Sequence, residues 1–228
     1  MSQASKYFDF ERSAASVRDG THRSLVGGMW DEIGRLQFDY LETHGLKPEM
    51  FLLDVGCGCL RGGVHFIEFL DAGHYYGIDI SRELLNVGYD VELDKLGLKH
   101  KLPRENLYCT DTFEARHFGI VFDIALAQSV FTHLTLSQVR LCLTRLSDVI
   151  RIDGAFYATV FLSQGNHDPS LPHRHSPGGI VSYPAKDPFH FTFDELTRCC
   201  TDLPWKIESA SDWNHPRDQT MITFVRTQ

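Results

Sequence analysis

The stretch LLDVGCGCLRGGVHF, residues 52–66, decides how the rest of the sequence is interpreted. It joins a short apolar run to a loop with four glycines, two cysteines and one arginine, and a helical pattern follows. An apolar run of this length is typical of a buried strand, and glycines let the backbone approach a ligand closely. The stretch therefore predicts a strand, a ligand-binding loop and a helix.

The same alternation of strand and helix continues along the chain. Four further strand patterns alternate with helical patterns, at 74–80, 106–110, 121–128 and 155–162. Two more strand patterns, at 206–213 and 219–226, end the chain with no helix between them. This order predicts an α/β fold with a parallel sheet covered on both faces, which binds ligands at the carboxyl ends of its strands.

Helix starts are marked by capping residues. Ser81 can cap the helical pattern 81–98. Capping-box spacings open two more helices, with Thr135 and Gln138 at one and Thr192 and Glu195 at the other.

The chain divides into an extension and a domain. Residues 1–48 are predicted to form an N-terminal helical extension or lid, loosely ordered over 1–20 and helical over 25–45. Residues 49–228 are predicted to form the α/β domain. Its irregular segment 163–190, rich in Pro, Gly and His, is predicted to be a lid-like loop.

Composition narrows the function classes. The chain has 228 residues, 43% of them hydrophobic, and a net charge of −8, which argues against a broad nucleic-acid-binding face. No run resembles a signal peptide or a membrane span, so a cytoplasmic location without a membrane partner is expected. The six cysteines are then reduced thiols, and the lack of a CxxC pair argues against structural zinc.

Three familiar templates do not explain the glycine loop. A P-loop needs Lys and Ser/Thr where Val64 and His65 follow Gly63, and the dinucleotide fingerprint needs glycine where Arg61 stands. A metal site at Cys57 and Cys59 lacks further ligands at a usable spacing.

Two carboxylates suggest a different ligand. Asp54 lies at the end of the strand, two positions before the first glycine of the loop, where it would repel a pyrophosphate but suit an ammonium or sulfonium group. Asp79 ends the second strand, where this topology puts an acid that binds ribose hydroxyls. A ligand that contains a nucleoside and a cationic group but no phosphate is therefore indicated, and S-adenosylmethionine is such a ligand.

The sequence resembles the class I S-adenosylmethionine-dependent methyltransferases over residues 48–162. The resemblance is carried by LLDVGCGCLRGG, YYGIDIS, LYCTD and FDIALAQSVFTHL, in this order and spacing. It implies a Rossmann-like doubly wound sheet of about seven strands, mostly parallel with an antiparallel C-terminal strand. Leu60 stands where the family usually has a third loop glycine.

The resemblance also implies cofactor contacts. The loop residues Asp54, Gly56, Cys57 and Gly58 would face the amino-acid end of the cofactor. The remaining implied contacts are Asp79 at the ribose, Ile80 at the adenine, Asp111 and Thr112 near the adenine amino group, and Gln128 and Ser129 near the methionine and sulfonium.

Other residues are predicted to act around this pocket. His133, just after the fourth strand, is the candidate general base, and a histidine that only packs near the cofactor is the alternative. Trp30 and Arg35 are predicted to cover the cofactor, with Trp30 facing the sulfonium. His167, His190, His215 and Arg217 are predicted substrate contacts. Solvated histidines are more common than metal ligands in a segment like 163–190, and no metal is expected.

The predicted function is methyl transfer to a small-molecule acceptor, at a hydroxyl of a sugar-like or secondary-metabolite substrate. The alternatives are an N-methyltransferase, an RNA or protein methyltransferase, or a non-catalytic S-adenosylmethionine-binding protein. Residues 127–131, AQSVF, differ from the motif that enzymes methylating base amines often carry after this strand.

Overall fold

The computed structural model describes residues 10–163 and 167–228. The helices are α1 Phe10–Arg18, α2 His22–Leu25, α3 Trp30–Thr43, α4 Gly63–Phe69, α5 Arg82–Val87, α6 Leu93–Leu96, α7 Leu136–Leu146 and α8 Phe193–Cys199. The strands are β1 Leu52–Val55, β2 Tyr75–Asp79, β3 Leu107–Cys109, β4 Phe122–Ala127, β5 Ile150–Leu162, β6 His173–Arg174, β7 Val181–Ser182, β8 His190–Phe191, β9 Trp205–Asp212 and β10 Thr220–Arg226. Within the described ranges, no helix has both the length and the apolar character needed to cross a bilayer.

The main sheet has eight strands, seven of them in the order β3-β2-β1-β4-β5-β10-β9. Strands β1 to β5 run parallel to one another, whereas β10 runs antiparallel to both β5 and β9. The eighth strand, β8, pairs in parallel with the end of β5. The predicted Rossmann-like sheet with its antiparallel C-terminal strand is confirmed.

Helices cover both faces of the sheet. Successive residues of β1 alternate between two hydrophobic clusters, with Leu53 in the first and Leu52 in the second. The first cluster contains Leu143 of α7, and the second contains Phe38 of α3 and Phe66 of α4. Each of these side chains contributes about 1.5–3 kcal/mol through burial, which fixes the helices against the sheet.

The predicted helix starts are confirmed. The Ser81 side chain accepts a hydrogen bond from Leu84 N at the start of α5. Complete capping boxes open α7 at Thr135 and α8 at Thr192. The predicted helix 81–98 is interrupted, because a π-helical turn, Gly88–Glu92, separates α5 from α6.

The N-terminal region differs from the prediction in two places. Residues 1–9 lie outside the described residues, but 10–18 form α1, so the prediction of loose order over 1–20 is wrong there. Buried Ser13 and Ser16 are small enough to let α1 pack closely on α5. The helix predicted over 25–45 begins only at Trp30, because Gly27, with a φ of 99°, turns the chain before it.

Candidate functional site

A pocket opens at the carboxyl ends of β1, β2 and β4, where the strand order reverses. The candidate general base His133 lines it, and so does Val26 from the N-terminal region. The predicted cofactor residues that line it are Asp54, Gly56, Cys57, Gly58, Asp79, Ile80, Asp111, Gln128 and Ser129.

The loop after β1 has a tightly constrained backbone. Gly56 has a φ of 73°, and a Cβ added there would lie 2.4 Å from Cγ2 of Val130. Leu60, at the position of the family's third glycine, also has a positive φ of 68°. Its side chain is fully buried, and that burial offsets the strain of the left-handed backbone. The loop therefore keeps its left-handed turn without the glycine.

Asp54 is a buried carboxylate at the end of β1. Its Oδ2 accepts a hydrogen bond of 2.7 Å from the hydroxyl of Tyr75. Burial raises the pKa of Asp54 to about 7, even though the Tyr75 hydrogen bond lowers it, and the charge of Asp79 raises it further. A cation bound beside Asp54 would therefore favour the ionised form of its carboxyl group.

Asp79 ends β2 and holds the loop in place. Its Oδ2 accepts a hydrogen bond of 2.8 Å from Gly58 N, and its Oδ1 accepts one of 2.8 Å from Ser81 N. Burial raises the pKa of Asp79, although the N–H donors of Ser81 and Gly58 oppose the shift. The carboxylate thus links the glycine loop to the second strand and presents its oxygens to the pocket.

Arg61 is a pocket residue that the sequence analysis did not identify. Its guanidinium is buried, and Nη1 donates hydrogen bonds of 2.9 Å to the carbonyls of Val26 and Gly28. Its Nη2 donates one of 2.7 Å to Oε1 of Gln128. The signal for Arg61 in the sequence is a charged residue inside a glycine loop, which by itself only distinguishes the loop from the dinucleotide fingerprint.

A polar network supports the end of β4. The Ser129 hydroxyl donates to Oε1 of Gln219 at 2.9 Å, and Ser129 N donates to the Thr159 hydroxyl at 2.7 Å. The Gln128 amide in turn donates to the Ser129 hydroxyl at 2.7 Å. These bonds hold Gln128 and Ser129, both predicted near the sulfonium, in one arrangement.

His133 sits in the short 3₁₀ turn Phe131–His133 that follows β4. Its Nδ1 shares a hydrogen bond with Oδ1 of Asp187, which belongs to the lid-like loop. Both side chains are largely buried, with 17% of His133 and 18% of Asp187 exposed. The sequence alone gave no sign that Asp187 would reach this histidine.

The histidines of the lid-like loop form a hydrogen-bonded chain. His175 Nδ1 lies 3.0 Å from Oδ2 of Asp218, and its Nε2 lies 2.7 Å from the Ser182 hydroxyl. That hydroxyl lies 2.9 Å from His190 Nδ1, and His190 Nε2 donates to the carbonyl of Pro169 at 3.0 Å. This chain ties the loop together, and both ring nitrogens of His190 take part in it.

His167 lies at the edge of the same chain. Its Nε2 is 3.2 Å from the carbonyl of Leu171, and its ring packs edge-on against His173 with centroids 4.1 Å apart. Neither His167 nor His190 is among the described residues that line the pocket. Among the described residues, no group of three or more His, Cys, Asp or Glu side chains has an arrangement that could hold a metal ion.

The loop between β9 and β10 contacts Gln128 of the pocket through His215, although none of its described residues lines the pocket. His215 is buried, stacks on Trp213 and lies 3.3 Å from the Gln128 amide nitrogen. Burial, together with the charges of Arg217 and Arg61, lowers the pKa of His215 to about 3, so its ring is neutral. Arg217 donates a hydrogen bond of 2.5 Å to the carbonyl of Gly27.

Three predicted cofactor residues lie outside the pocket lining. The Trp30 ring packs against Arg23, and the guanidinium carbon of Arg23 lies 4.4 Å from the centroid of that ring. Arg35 is exposed and pairs with Asp39 at 2.7 Å, one helical turn away. Thr112 is exposed, whereas its neighbour Thr110 lines the pocket.

A scan against protein-family models finds no match. Solved structures with the same fold are similar to this chain at low sequence identity. Magnesium protoporphyrin IX methyltransferase from Synechocystis PCC 6803, with bound S-adenosylmethionine, is 14% identical with a TM-score of 0.60, over 86% of this chain and 81% of that one. An S-adenosylmethionine-dependent methyltransferase from Clostridium acetobutylicum is 11% identical with a TM-score of 0.64, over 96% of this chain and 99% of that one.

The same fold also occurs in a different kind of enzyme. The [4+2]-cyclase SpnF is 16% identical with a TM-score of 0.62, over 85% of this chain and 81% of that one. The chain therefore has the class I methyltransferase fold, as the resemblance predicted, and its reaction has to be argued from the site.

Proposed function

We propose that this protein is an S-adenosylmethionine-dependent methyltransferase that methylates a hydroxyl group of a small molecule. The observation that carries the proposal is the pair of carboxylates, Asp54 and Asp79, at the ends of adjacent parallel strands on either side of a glycine loop. Burial raises the pKa of both carboxyl groups, so a positive or hydrogen-bond-donating ligand would favour their ionised forms. S-adenosylmethionine supplies an ammonium, a sulfonium and two ribose hydroxyls.

The residues of the pocket fit this cofactor. Asp54 and the loop Gly56–Gly58 would hold the amino-acid end, with Arg61 as a cation for its carboxylate. Asp79 would accept hydrogen bonds from the ribose, and Ile80 would pack against the adenine beside Asp111. The two N–H groups that already bind Asp79 orient its oxygens and leave lone pairs for such hydroxyls.

Methyl transfer to a hydroxyl would need the alignment of the methyl group with the hydroxyl oxygen and one group that accepts a proton. S-adenosylmethionine supplies an electrophilic methyl group, and its transfer to a hydroxyl oxygen releases one proton while the bonding pair stays on sulfur. His133 is the proposed acceptor of that proton, because it lines the pocket and its ring is fixed by Asp187. The apolar side chains of Phe113, Val130 and Leu134 would exclude water from the same space.

The acceptor is proposed to be a small molecule that enters between the lid-like loop and the β9–β10 loop. His215 and Arg217 are proposed to contact it, since Arg217 could bind an acidic group once released from Gly27. His167 and His190 remain predicted substrate contacts. The net charge of −8 supports an acceptor other than nucleic acid, and six unpaired cysteines support a reducing, cytoplasmic location.

A second candidate is a protein that binds the cofactor and catalyses another reaction, or none. The [4+2]-cyclase SpnF supports this candidate, because it has the same fold and catalyses a different reaction. Methyl transfer to any acceptor would exclude the non-catalytic form.

Calorimetric titration of the purified protein with S-adenosylmethionine and S-adenosylhomocysteine tests the proposal, with NAD and ATP as rival ligands. We expect micromolar binding of the first two ligands alone. Asp79→Ala should weaken it by about tenfold or more, the size of a lost hydrogen-bond pair to a charged group.

The matched control is Asp94→Ala, which removes an exposed carboxylate paired with Lys99 and should leave both affinities unchanged. Folded protein that binds neither ligand, or that binds NAD as tightly, would contradict the proposed cofactor.

A further inference from the structure

Two segments that are distant in sequence meet at the mouth of the pocket. One is the 3₁₀ turn that ends at His133, and the other is the end of the lid-like loop around Asp187. Phe189 N donates a hydrogen bond of 2.7 Å to the carbonyl of Thr132, next to His133. Two residues after Asp187, the chain is thus bonded directly to this turn.

Strand pairing fixes the same segment a second time. Strand β8 pairs with the end of β5, with His190 opposite Phe161 and Phe191 opposite Leu162. Ser163 N also donates to the carbonyl of Phe191 at 2.8 Å. The lid-like loop therefore leads into an added strand of the main sheet, and Asp187 lies three residues before this strand.

The contact between the two side chains selects one form of the imidazole. An ionised carboxylate can only accept, so His133 Nδ1 must carry a hydrogen toward Oδ1 of Asp187. The neutral ring then carries its lone pair on Nε2. His133 lines the pocket, whereas Asp187 is not among the described residues that line it.

We propose that Asp187 is a positioning residue that holds His133 in the tautomer needed for a general base. The inference rests on the proposed function. In the reaction, Nε2 would take the hydroxyl proton of the acceptor as the oxygen–methyl bond forms and the sulfur–methyl bond breaks. The imidazolium would be balanced by the Asp187 carboxylate and would later release its proton to water.

This assignment couples the lid-like loop to catalysis. The base comes from the turn after β4, but its orientation comes from Asp187 in the segment that leads into β8. A bound acceptor that displaced this segment would disturb the base, so only acceptors that leave β8 docked should react well.

Nuclear magnetic resonance of the ring nitrogens of ¹⁵N-histidine-labelled full-length protein tests the proposal directly. His133→Gln identifies the resonances of His133. In the wild type, Nδ1 should carry the hydrogen near neutral pH, and Asp187→Asn should remove this preference. The control is Asp218→Asn, which breaks the pair that joins His175 of the lid-like loop to the β9–β10 loop, away from the pocket lining.

Activity provides the second measurement once a panel of hydroxyl compounds has given an acceptor. We expect Asp187→Asn to lower kcat by roughly ten- to a hundredfold with KM within about twofold, and to keep its affinity for S-adenosylhomocysteine. Asp218→Asn should keep the wild-type kcat.

A wild-type His133 with its hydrogen on Nε2, or an unchanged tautomer in Asp187→Asn, would overturn the proposal. Equal effects of Asp187→Asn and Asp218→Asn on His133 would also overturn it, because loosening of the loop would then be the cause. A wild-type protein that does not bind S-adenosylhomocysteine would instead refute the proposed function and leave the tautomer result standing.

Discussion

Asp54 is a pocket residue whose charge state would depend on the charge of a bound ligand. It is buried, accepts a hydrogen bond from Tyr75 and has a pKa of about 7. The folded protein therefore holds a proton between about pH 4 and 7 that the unfolded chain releases, so Asp54 makes the ligand-free protein less stable as the pH rises through this range.

We expect the affinity for S-adenosylmethionine to rise with pH between 5.5 and 7.5. A positive ligand favours the ionised carboxylate, so binding below pH 7 must release the proton of Asp54. A single linked proton allows a gain of at most about tenfold per pH unit, levelling off above the pKa. Calorimetry at several pH values, in buffers with different ionisation enthalpies, measures both the affinity and the number of protons released.

The control for this prediction is Asp54→Asn, which keeps the shape of the side chain and removes its titration. It should bind more weakly and show a flat pH profile over the same range. A wild-type profile as flat as that of the variant would show that Asp54 does not bind the cationic end of the ligand.

Single residues also show where prediction from sequence succeeds. The glycine loop and the two strand-end carboxylates were predictable, because backbone approach and charge are properties of the residue types. Arg61 was not predicted, because its position depends on the carbonyls of Val26 and Gly28, far away in sequence. Leu60 departs from the family pattern in sequence, and its left-handed backbone, a conformation that glycine adopts without strain, could not be predicted from a leucine.

At the scale of elements, one buried carboxylate holds α2 on the domain. Glu92, in the π-helical turn, is 2% exposed and lies 2.6 Å from both Nε2 of His22 and Nη2 of Arg23. Burial alone would raise the pKa of Glu92, but the hydrogen bonds from Arg23 and His22 outweigh it and lower the pKa. The stabilisation is therefore present at neutral pH and is lost as the pH falls through the lowered pKa.

We expect Glu92→Gln to destabilise the protein by about 2 kcal/mol, because it removes a buried charge and leaves its partners poorly satisfied. Trypsin should also cut faster after Arg23, which the pairing protects. Urea unfolding and timed proteolysis measure the two effects.

The exposed Asp94→Asn is the comparison, with an expected change below about 0.5 kcal/mol. Equal stability and equal cleavage rates in the two variants would mean that Glu92 does not anchor α2.

The helices and strands were predictable to different degrees. Capping boxes fixed the starts of α7 and α8 because the signal lies within four residues. The π-helical turn and strand β8 were not predicted, since one depends on the distant His22 and Arg23 and the other on pairing with β5.

At the scale of the whole molecule, the alternation of strands and helices predicted the parallel sheet, and the resemblance predicted the reversed last strand. The sheet brings β1 and β4 together although they are far apart in sequence, and the pocket forms at their ends. The position of the pocket therefore follows from the topology, but the identity of the acceptor depends on loops that have no regular pattern.

We expect S-adenosylhomocysteine to raise the melting temperature of the protein. At about 100 times its Kd, a ligand that binds only the folded state adds about 2.7 kcal/mol, or roughly 5–10 °C for a domain of this size. Differential scanning calorimetry at increasing ligand concentration measures the size of the rise in melting temperature and its dependence on that concentration.

NAD at the same concentrations is the negative control and should leave the melting temperature unchanged. A rise with NAD equal to that with S-adenosylhomocysteine would contradict a pocket selective for a ligand without phosphate.

The turn at residues 26–28 has a consequence for how this chain tolerates change. Arg61 and Arg217 form a clasp there, because they donate hydrogen bonds to three successive main-chain carbonyls, and these bonds depend on the path of the backbone and not on the side chain of Val26. Gly27 is different, because a Cβ would lie 2.9 Å from the guanidinium of Arg217. Substitution in this turn is therefore limited by the two arginines, by Gly27 and by Gly28, whose φ of 64° also favours glycine, while Val26 is constrained only by its place in the pocket lining.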